Sequence, residues 1–279
     1  MSPRDLKPSE RIILPIDISN VNEAIKLVEK LSPYVGVFKI GFEAIYSTMA
    51  DLFLENDIGA SFLLNRVRFM ARKITAQKTF LDVKLADIPN TVEKAVKAIA
   101  RLKPRMFNIH TSAGAKVISA ASANKGESLL FGVTVLTSIG EDECFSIFGD
   151  SPEVKVLEFA KMLVDGGADG IICAPKEGLI LRKNYFFDKM IIATPNVRPL
   201  WSANKDDQNK ERQMTPCEAI KAGIDMIVIG RPILNPPAQI GDSIEAAKAI
   251  AEEIENALGD IEDKEVFFMG PNGIRRNNT

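Results

Sequence analysis

Short apolar runs alternate along the chain with stretches in which apolar positions recur every three or four residues. The runs IILPID (12–17), VGVFKI (35–40), TFLDVKL (79–85), MFNIH (106–110), LLFGVTVL (129–136), GIICA (170–174), MIIATP (190–195) and MIVIG (226–230) read as strands. Between them, VNEAIKLVEKLS, NTVEKAVKAIARL and EVKVLEFAKMLVDGG read as amphipathic helices, the last stopped by Gly166 and Gly167. Strand followed by helix about eight times over is the pattern of an α/β fold of the (β/α)8 TIM-barrel type. A doubly wound open sheet is the alternative, but no strand is followed by a GxGxxG turn.

Residues 1–258 are expected to form this single barrel domain. Residues 42–76 hold more helix than one crossover needs, which places an extra helical insertion near 57–76, around SFLLNRVRFMARKI. Residues 196–213 make a long polar connection after the seventh strand, and connections of that length are usually functional or disordered. Residues 259–279 read as a partly disordered C-terminal tail ending in GPNGIRRNNT.

Parallel barrel strands are buried on both faces and should be continuously apolar, so their charged positions carry information. In TFLDVKL, Leu81, Val83 and Leu85 share one face and Asp82 and Lys84 the other, with Asp87 just beyond. The apolar set would pack under the outer helices, and the charged pair would point into the barrel near its mouth. A single Asp–Lys pair is most simply a structural ion pair. Yet Asp17, Lys39, His110, Ser138, Thr194, Pro195 and Arg231 also fall at the carboxyl ends of strands, the face on which barrel enzymes build their sites. Lys39, Asp82, Lys84 and Asp87 alternate in sign and are expected to converge at one rim. Gly230 and Arg231 follow the eighth strand, where such barrels often bind phosphate: glycine lets a backbone N–H approach an oxyanion, and arginine grips two oxygens. His110 alone is equally readable as a hydrogen-bonded core histidine, and Ser138 as a loop hydroxyl bonding its own backbone.

Composition narrows the chemistry. Apolar residues at 46% against 26% charged suit a globular protein with a sizeable core. A net charge of −2, from 35 basic and 37 acidic residues, argues against a broad nucleic-acid surface and leaves room for one small anionic ligand. With His110 the single histidine, a multi-histidine metal site is excluded, and no metal is expected. Cys144, Cys173 and Cys217 show no CxxC spacing, which suggests a reducing compartment. No stretch approaches a membrane span, and the start MSPRDLKPSERIILPID lacks the apolar run of a signal peptide, so a cytoplasmic location is expected.

From about Ile12 to Leu258 the chain resembles the orotidine 5'-monophosphate decarboxylase family. DVKLADIPNT fits that family's D-x-K-x-x-D-I-x-x-T signature at Asp82, Lys84, Asp87, Ile88 and Thr91. Asp17, the FKIG segment with Lys39, VTVLTS ending in Ser138, TPNVRP, DDQ with Gln208, and IGRP with Arg231 match in order and spacing. The resemblance implies a cofactor-independent decarboxylase acting on a nucleotide, orotidine monophosphate (OMP) to uridine monophosphate (UMP), as a homodimer with shared sites. It implies Asp17 and Lys39 at ribose hydroxyls, Asp82 beside the substrate carboxylate and Lys84 as the proton donor to C6. Asp87 and Thr91 would reach the neighbouring subunit's site. Ser138 would meet the pyrimidine edge, Pro195 would line the pocket, and Gln208, Gly230 and Arg231 would hold the phosphate.

The chain departs from the pattern at LPID, where A-L-D is usual, and at Asn196, where the family usually has glycine; Asn tolerates a left-handed backbone better than most residues. The DDQ region is about two residues longer than in bacterial relatives, so either Gln208 or Gln213 would reach the phosphate. Two rival readings stand beside this one. A magnesium-dependent sugar-phosphate lyase of the same barrel family would carry an acidic ligand where Lys39 stands. A catalytically inactive nucleotide-binding barrel would gain little from so many buried charges.

Overall fold

The computed structural model describes residues 6–54, 59–61, 63–65, 67, 74, 76–202 and 213–268. Eight parallel strands close into a barrel in sequence order: β1 (Ile12–Pro15), β2 (Val37–Ile40), β3 (Thr79–Leu85), β4 (Met106–His110), β5 (Leu129–Val133), β6 (Gly170–Ile172), β7 (Ile191–Thr194) and β8 (Met226–Val228), with β8 pairing back onto β1. The architecture is the (β/α)8 barrel the apolar pattern implied. Several strands stop short of their apolar runs. After Val133, Thr134 continues the contact with β6, its N–H (3.0 Å) and its hydroxyl (2.9 Å) both donating to the Ile172 carbonyl.

The outer helices follow local rules. Helix α1 (Val21–Leu31) starts where Asn20 accepts the Asn22 and Glu23 N–H groups, and it buries Val21, Ala24, Ile25, Val28 and Leu31, one stripe at helical spacing. Helix α2 (Phe42–Leu54) follows β2, and the described residues between 59 and 67 are also helical; the rest of the expected insertion lies outside the described residues. Helix α3 (Pro89–Leu102) opens on a proline, which suits a first helical position. Then come α4 (Ala115–Asn124), α5 (Glu141–Phe148), α6 (Pro152–Asp165), α7 (Pro175–Arg182), α8 (Pro216–Lys221), α9 (Arg231–Leu234) and α10 (Ser243–Phe268). The boundary expected at 258 falls inside α10. Leu258 and Ile261 pack against the core after Ile254 and Ala257, and Asp260 pairs with Lys221 at 2.6 Å, so the helix has reason to continue. Residues 269–279 lie outside the described residues.

The barrel interior is built in layers by the two-residue period of its strands. Ile13, Val37, Phe80, Met106, Phe131, Ala193 and Met226 form one apolar cluster. The partly buried Leu81 and Leu85 pack against the larger cluster that includes the helices, as their alternation with Asp82 and Lys84 predicts. Two residues beyond Val37, Phe80 and Met106 come Lys39, Asp82 and Asn108, so the next layer turns polar on β2 to β4.

Charges at the opposite end of the barrel are structural. Asp169 and Leu130 exchange backbone and side-chain hydrogen bonds, at 2.9 Å (N to O) and 2.7 Å (Leu130 N to Oδ2), and Asp225 and Ile192 repeat the arrangement at 3.0 and 2.8 Å. Lys125 neutralises the first aspartate and Arg182 the second. Burial pushes the Asp225 carboxyl above its ordinary value, against the opposing pull of Arg182.

Candidate active site

At the carboxyl-terminal mouth, Lys39 and Lys84 hold the two oxygens of one carboxylate. Lys39 Nζ donates to Asp82 Oδ2 at 2.8 Å, and Lys84 Nζ donates to Oδ1 at 2.6 Å. Asn108 Nδ2 adds a third bond, 2.7 Å to the same Oδ1. The Asp82 side chain is 9% exposed, Lys39 14% and Lys84 29%, so the charge opens toward solvent at Lys84. Burial would raise the Asp82 carboxyl, but Lys39 and Lys84 together outweigh it and hold it below the ordinary value. The carboxylate therefore stays ionised at neutral pH.

Strand β3 reaches this arrangement by breaking its own regularity. Leu81 pairs with Phe107 and Leu85 with Ile109, so more residues of β3 than of β4 lie between the two pairings, a bulge. Lys84 sits inside it at φ 42°, a left-handed backbone rare for a side chain of this length. Its ammonium also lies 5.2 Å from the centre of the Phe42 ring at the start of α2. Gly41, between Lys39 and Phe42, leaves room for the cluster: a Cβ there would stand 3.3 Å from Lys39 Nζ and 3.5 Å from Asp17 Oδ1.

Asp17 lies just past β1 with its carboxylate 3.8 Å from Lys39 Nζ. Pro195 lines a cavity of about 220 Å3 with Lys39, Asp82, Lys84 and Asn108. The other wall is apolar, from Val133, Val135, Ile172 and Val228. Ser138 is exposed in the turn after β5, where its neighbour Thr137 reaches the cavity. Gly230 precedes Arg231, the exposed first residue of α9. Gln208 lies outside the described residues; Gln213 is half-buried next to Met214, which bridges to Val197. Asn196 takes φ 64°, the left-handed turn that glycine would otherwise supply.

Asp87 does not join the cluster within one chain. It is exposed beyond the end of β3, and its Oδ1 accepts the Ile88 N–H at 2.6 Å, at the entry to α3; among the described residues it pairs with no lysine. The strand has ended by then, so the expectation of four converging charges reduces to three. Thr91, also exposed, lies in the first turn of α3. His110 Nδ1 bonds Ser112 Oγ at 2.8 Å, and burial, then the charge of Lys84, lowers its pKa.

Asn108 was not singled out from the sequence. The signal was present: it lies two residues after Met106, on the inward face of a strand that should be apolar there.

A larger recess, about 630 Å3, opens at the opposite end beside Lys78, Lys103 and Arg105. Lys78 donates to the Ser32 and Val35 carbonyls (3.1 Å to Val35), and Lys103 faces Glu127 at 3.6 Å. These two lysines already have partners, so size is the weaker guide and the charged cluster at the mouth is the better candidate site.

Fold and site together define a (β/α)8 barrel with a lysine–aspartate–lysine cluster at its carboxyl-terminal mouth. The chain matches the family described as orotidine 5'-phosphate decarboxylase / HUMPS across residues 10–250, and it belongs to that family. It is 35% identical over 257 residues to the orotidine 5'-phosphate decarboxylase of Moorella thermoacetica, spanning 88% of this chain and 92% of that one. Identity to the enzyme of the same name from Trichlorobacter lovleyi is 36% over 252 residues, spanning 88% and 95%. The crystal structure of orotidine 5'-phosphate decarboxylase from Lactobacillus acidophilus superposes with a TM-score of 0.67 at 28% identity, covering 87% of this chain and 98% of that one.

Proposed function

We propose that this protein decarboxylates OMP to UMP without a cofactor, as a step of pyrimidine nucleotide biosynthesis. The observation that carries the reading is the cluster in which Lys39 and Lys84 each hold one oxygen of Asp82 beside a half-apolar cavity. Relatives of that name, about 35% identical over most of the chain, support it.

The reaction breaks the bond from C6 to the carboxylate carbon, releases CO2 and leaves the electron pair on C6. That carbanion has little resonance help, so placed charge has to stabilise it. Lys84 faces the developing charge and then transfers a proton from Nζ to C6; solvent returns a proton to the amine. Asp82 lies beside the departing carboxylate. Two like charges about 4 Å apart at an effective dielectric of about 20 repel by roughly 4 kcal/mol. That is a small part of the up to about 23 kcal/mol enzymes commonly supply. Stabilisation by Lys84 and grip on remote groups must do more.

In this reading Asp17 and Lys39 bind the ribose, Ser138 the pyrimidine edge and Pro195 its face. Gly230 and Arg231, with Gln208 or Gln213, hold the phosphate. Asp87 and Thr91 serve the neighbouring site of a cytoplasmic homodimer, which agrees with their exposure at the start of α3.

A magnesium-dependent lyase of the same family is disfavoured because the Lys39 ammonium, 2.8 Å from Asp82, would oppose a divalent cation there. The test is the fall in orotidylate absorbance with purified protein, with and without EDTA. Equal turnover in both arms is expected. Loss in EDTA would favour the metal-dependent reading, and no turnover in either arm would sink the proposal.

A further inference from the structure

We infer that Asn108 is a positioning residue that fixes Asp82 and Lys84 as one unit, and the inference rests on the function proposed above. Its side chain is completely buried under the charge cluster, and both ends of its carboxamide are used. Nδ2 donates to Asp82 Oδ1 at 2.7 Å, and Oδ1 accepts the Lys84 backbone N–H at 2.7 Å. The amide can face only this way. Reversed, it would set its oxygen against a carboxylate and its NH2 against another N–H.

The Lys84 bond replaces one the sheet does not provide. Between Leu81 and Leu85 the β3–β4 register shifts, so the Lys84 N–H stands outside the regular ladder. The Asn108 side chain, reaching from β4, takes that place. It thereby holds the backbone at φ 42°, a conformation that a lysine leaves readily unless surroundings fix it. Relaxation there would swing the ammonium away from Asp82.

The second bond sets the carboxylate. Asp82 Oδ2 takes Lys39, while Oδ1 takes both Lys84 and Asn108, so rotation of the carboxylate would break contacts on both sides. One neutral side chain thus orients the general acid through its backbone and the acid's counter-charge directly. Asn suits this because it offers a donor and an acceptor without adding charge. Leucine has the same shape and offers neither; a carboxylate offers no donor and repels Asp82.

The test compares wild type with Asn108→Leu and Asn108→Asp. For Asn108→Leu, kcat is expected to fall about 100-fold, the scale of an ångström-sized misplacement, with KM and UMP affinity within a few-fold of wild type. For Asn108→Asp, activity relative to wild type should recover as pH falls, because a protonated carboxyl again donates to Asp82 and accepts from Lys84. A purely structural role would not produce that recovery, and the second variant serves even if the first fails to fold. Unchanged kcat in Asn108→Leu, or a flat pH ratio in Asn108→Asp, would overturn the inference. A wild type without turnover would instead refute the decarboxylase reading. Positioning is then judged by a crystal structure of Asn108→Leu: Lys84 Nζ beyond 4.0 Å of Asp82 supports it, and the 2.6 Å contact kept intact overturns it.

Discussion

Asp82 and Lys84 are two residues apart on one strand, and their charged ends meet at 2.6 Å. In a strand, such neighbours point the same way with Cα atoms about 6.6 Å apart, so the contact depends on the lysine folding back along the strand. In the proposed reaction, the proton donor and the group that repels the departing carboxylate are therefore set by the same few residues of backbone.

Replacing Lys84 by Ala should lower kcat by at least about 1000-fold, the upper range for losing one preorganised group that stabilises developing charge. Asp82 keeps Lys39 and Asn108, so the pocket should survive and UMP binding, measured by calorimetry, should persist. Near-normal turnover would remove Lys84 from its role.

Arg231→Ala should weaken kcat/KM for OMP by about 100-fold or more, as expected for loss of a charge-assisted contact to phosphate. The same variant should show almost no further loss on orotidine, which has no phosphate. A comparable fall on both substrates would mean that Arg231 acts elsewhere.

The proposed homodimer with shared sites predicts complementation. Lys84→Ala and Asp87→Ala are each expected to be nearly inactive as homodimers. Co-expressed, they should form mixed dimers with one intact site, giving about a quarter of wild-type activity if assembly is random. Activity no higher than the separate variants would place Asp87 and Lys84 in the same subunit's site, or show that no dimer forms.

His110 gives a pH dependence with a definite sign. Its pKa is lowered from 6.5 by burial and then by Lys84, so the unfolded chain takes up the proton first. The stability it contributes is intact above about pH 6.5 and declines as pH falls below it. Urea unfolding at about pH 7.5 and about pH 5.5 should show wild type losing up to about 1 kcal/mol more than His110→Gln. An equal loss in both proteins would contradict this.

Much of the site was legible because β3 carries charge where a barrel strand should carry none. Strand period alone aims Asp82 and Lys84 inward and Leu81 and Leu85 outward, and Lys39 is placed near the mouth by its position at the end of the second run. The bulge was not legible: strict alternation puts Lys84 on the right face but gives no sign of its left-handed backbone. Asn108 gives a weaker signal, because a neutral amide inside MFNIH is less costly to bury than a charge. Asp87 stands beyond the strand that ends at Leu85, so the two-residue period that aims Asp82 and Lys84 inward no longer sets its direction. The continuation of the last helix past residue 258 was less legible, because it rests on one further apolar position, Ile261.

Gly230, on the far side of the chain from the first strand, has a Cβ position only 2.8 Å from Pro15 Cγ. The unusual proline in LPID and the glycine before Arg231 are thus fitted to each other across the seam where β1 meets β8. Residues separated by most of the polypeptide come together there only when the cylinder has shut. The proposed phosphate clamp would then be among the last parts to mature during folding, and a nascent chain lacking its final strand could hold the lysine pair but, on that reading, not yet grip a nucleotide.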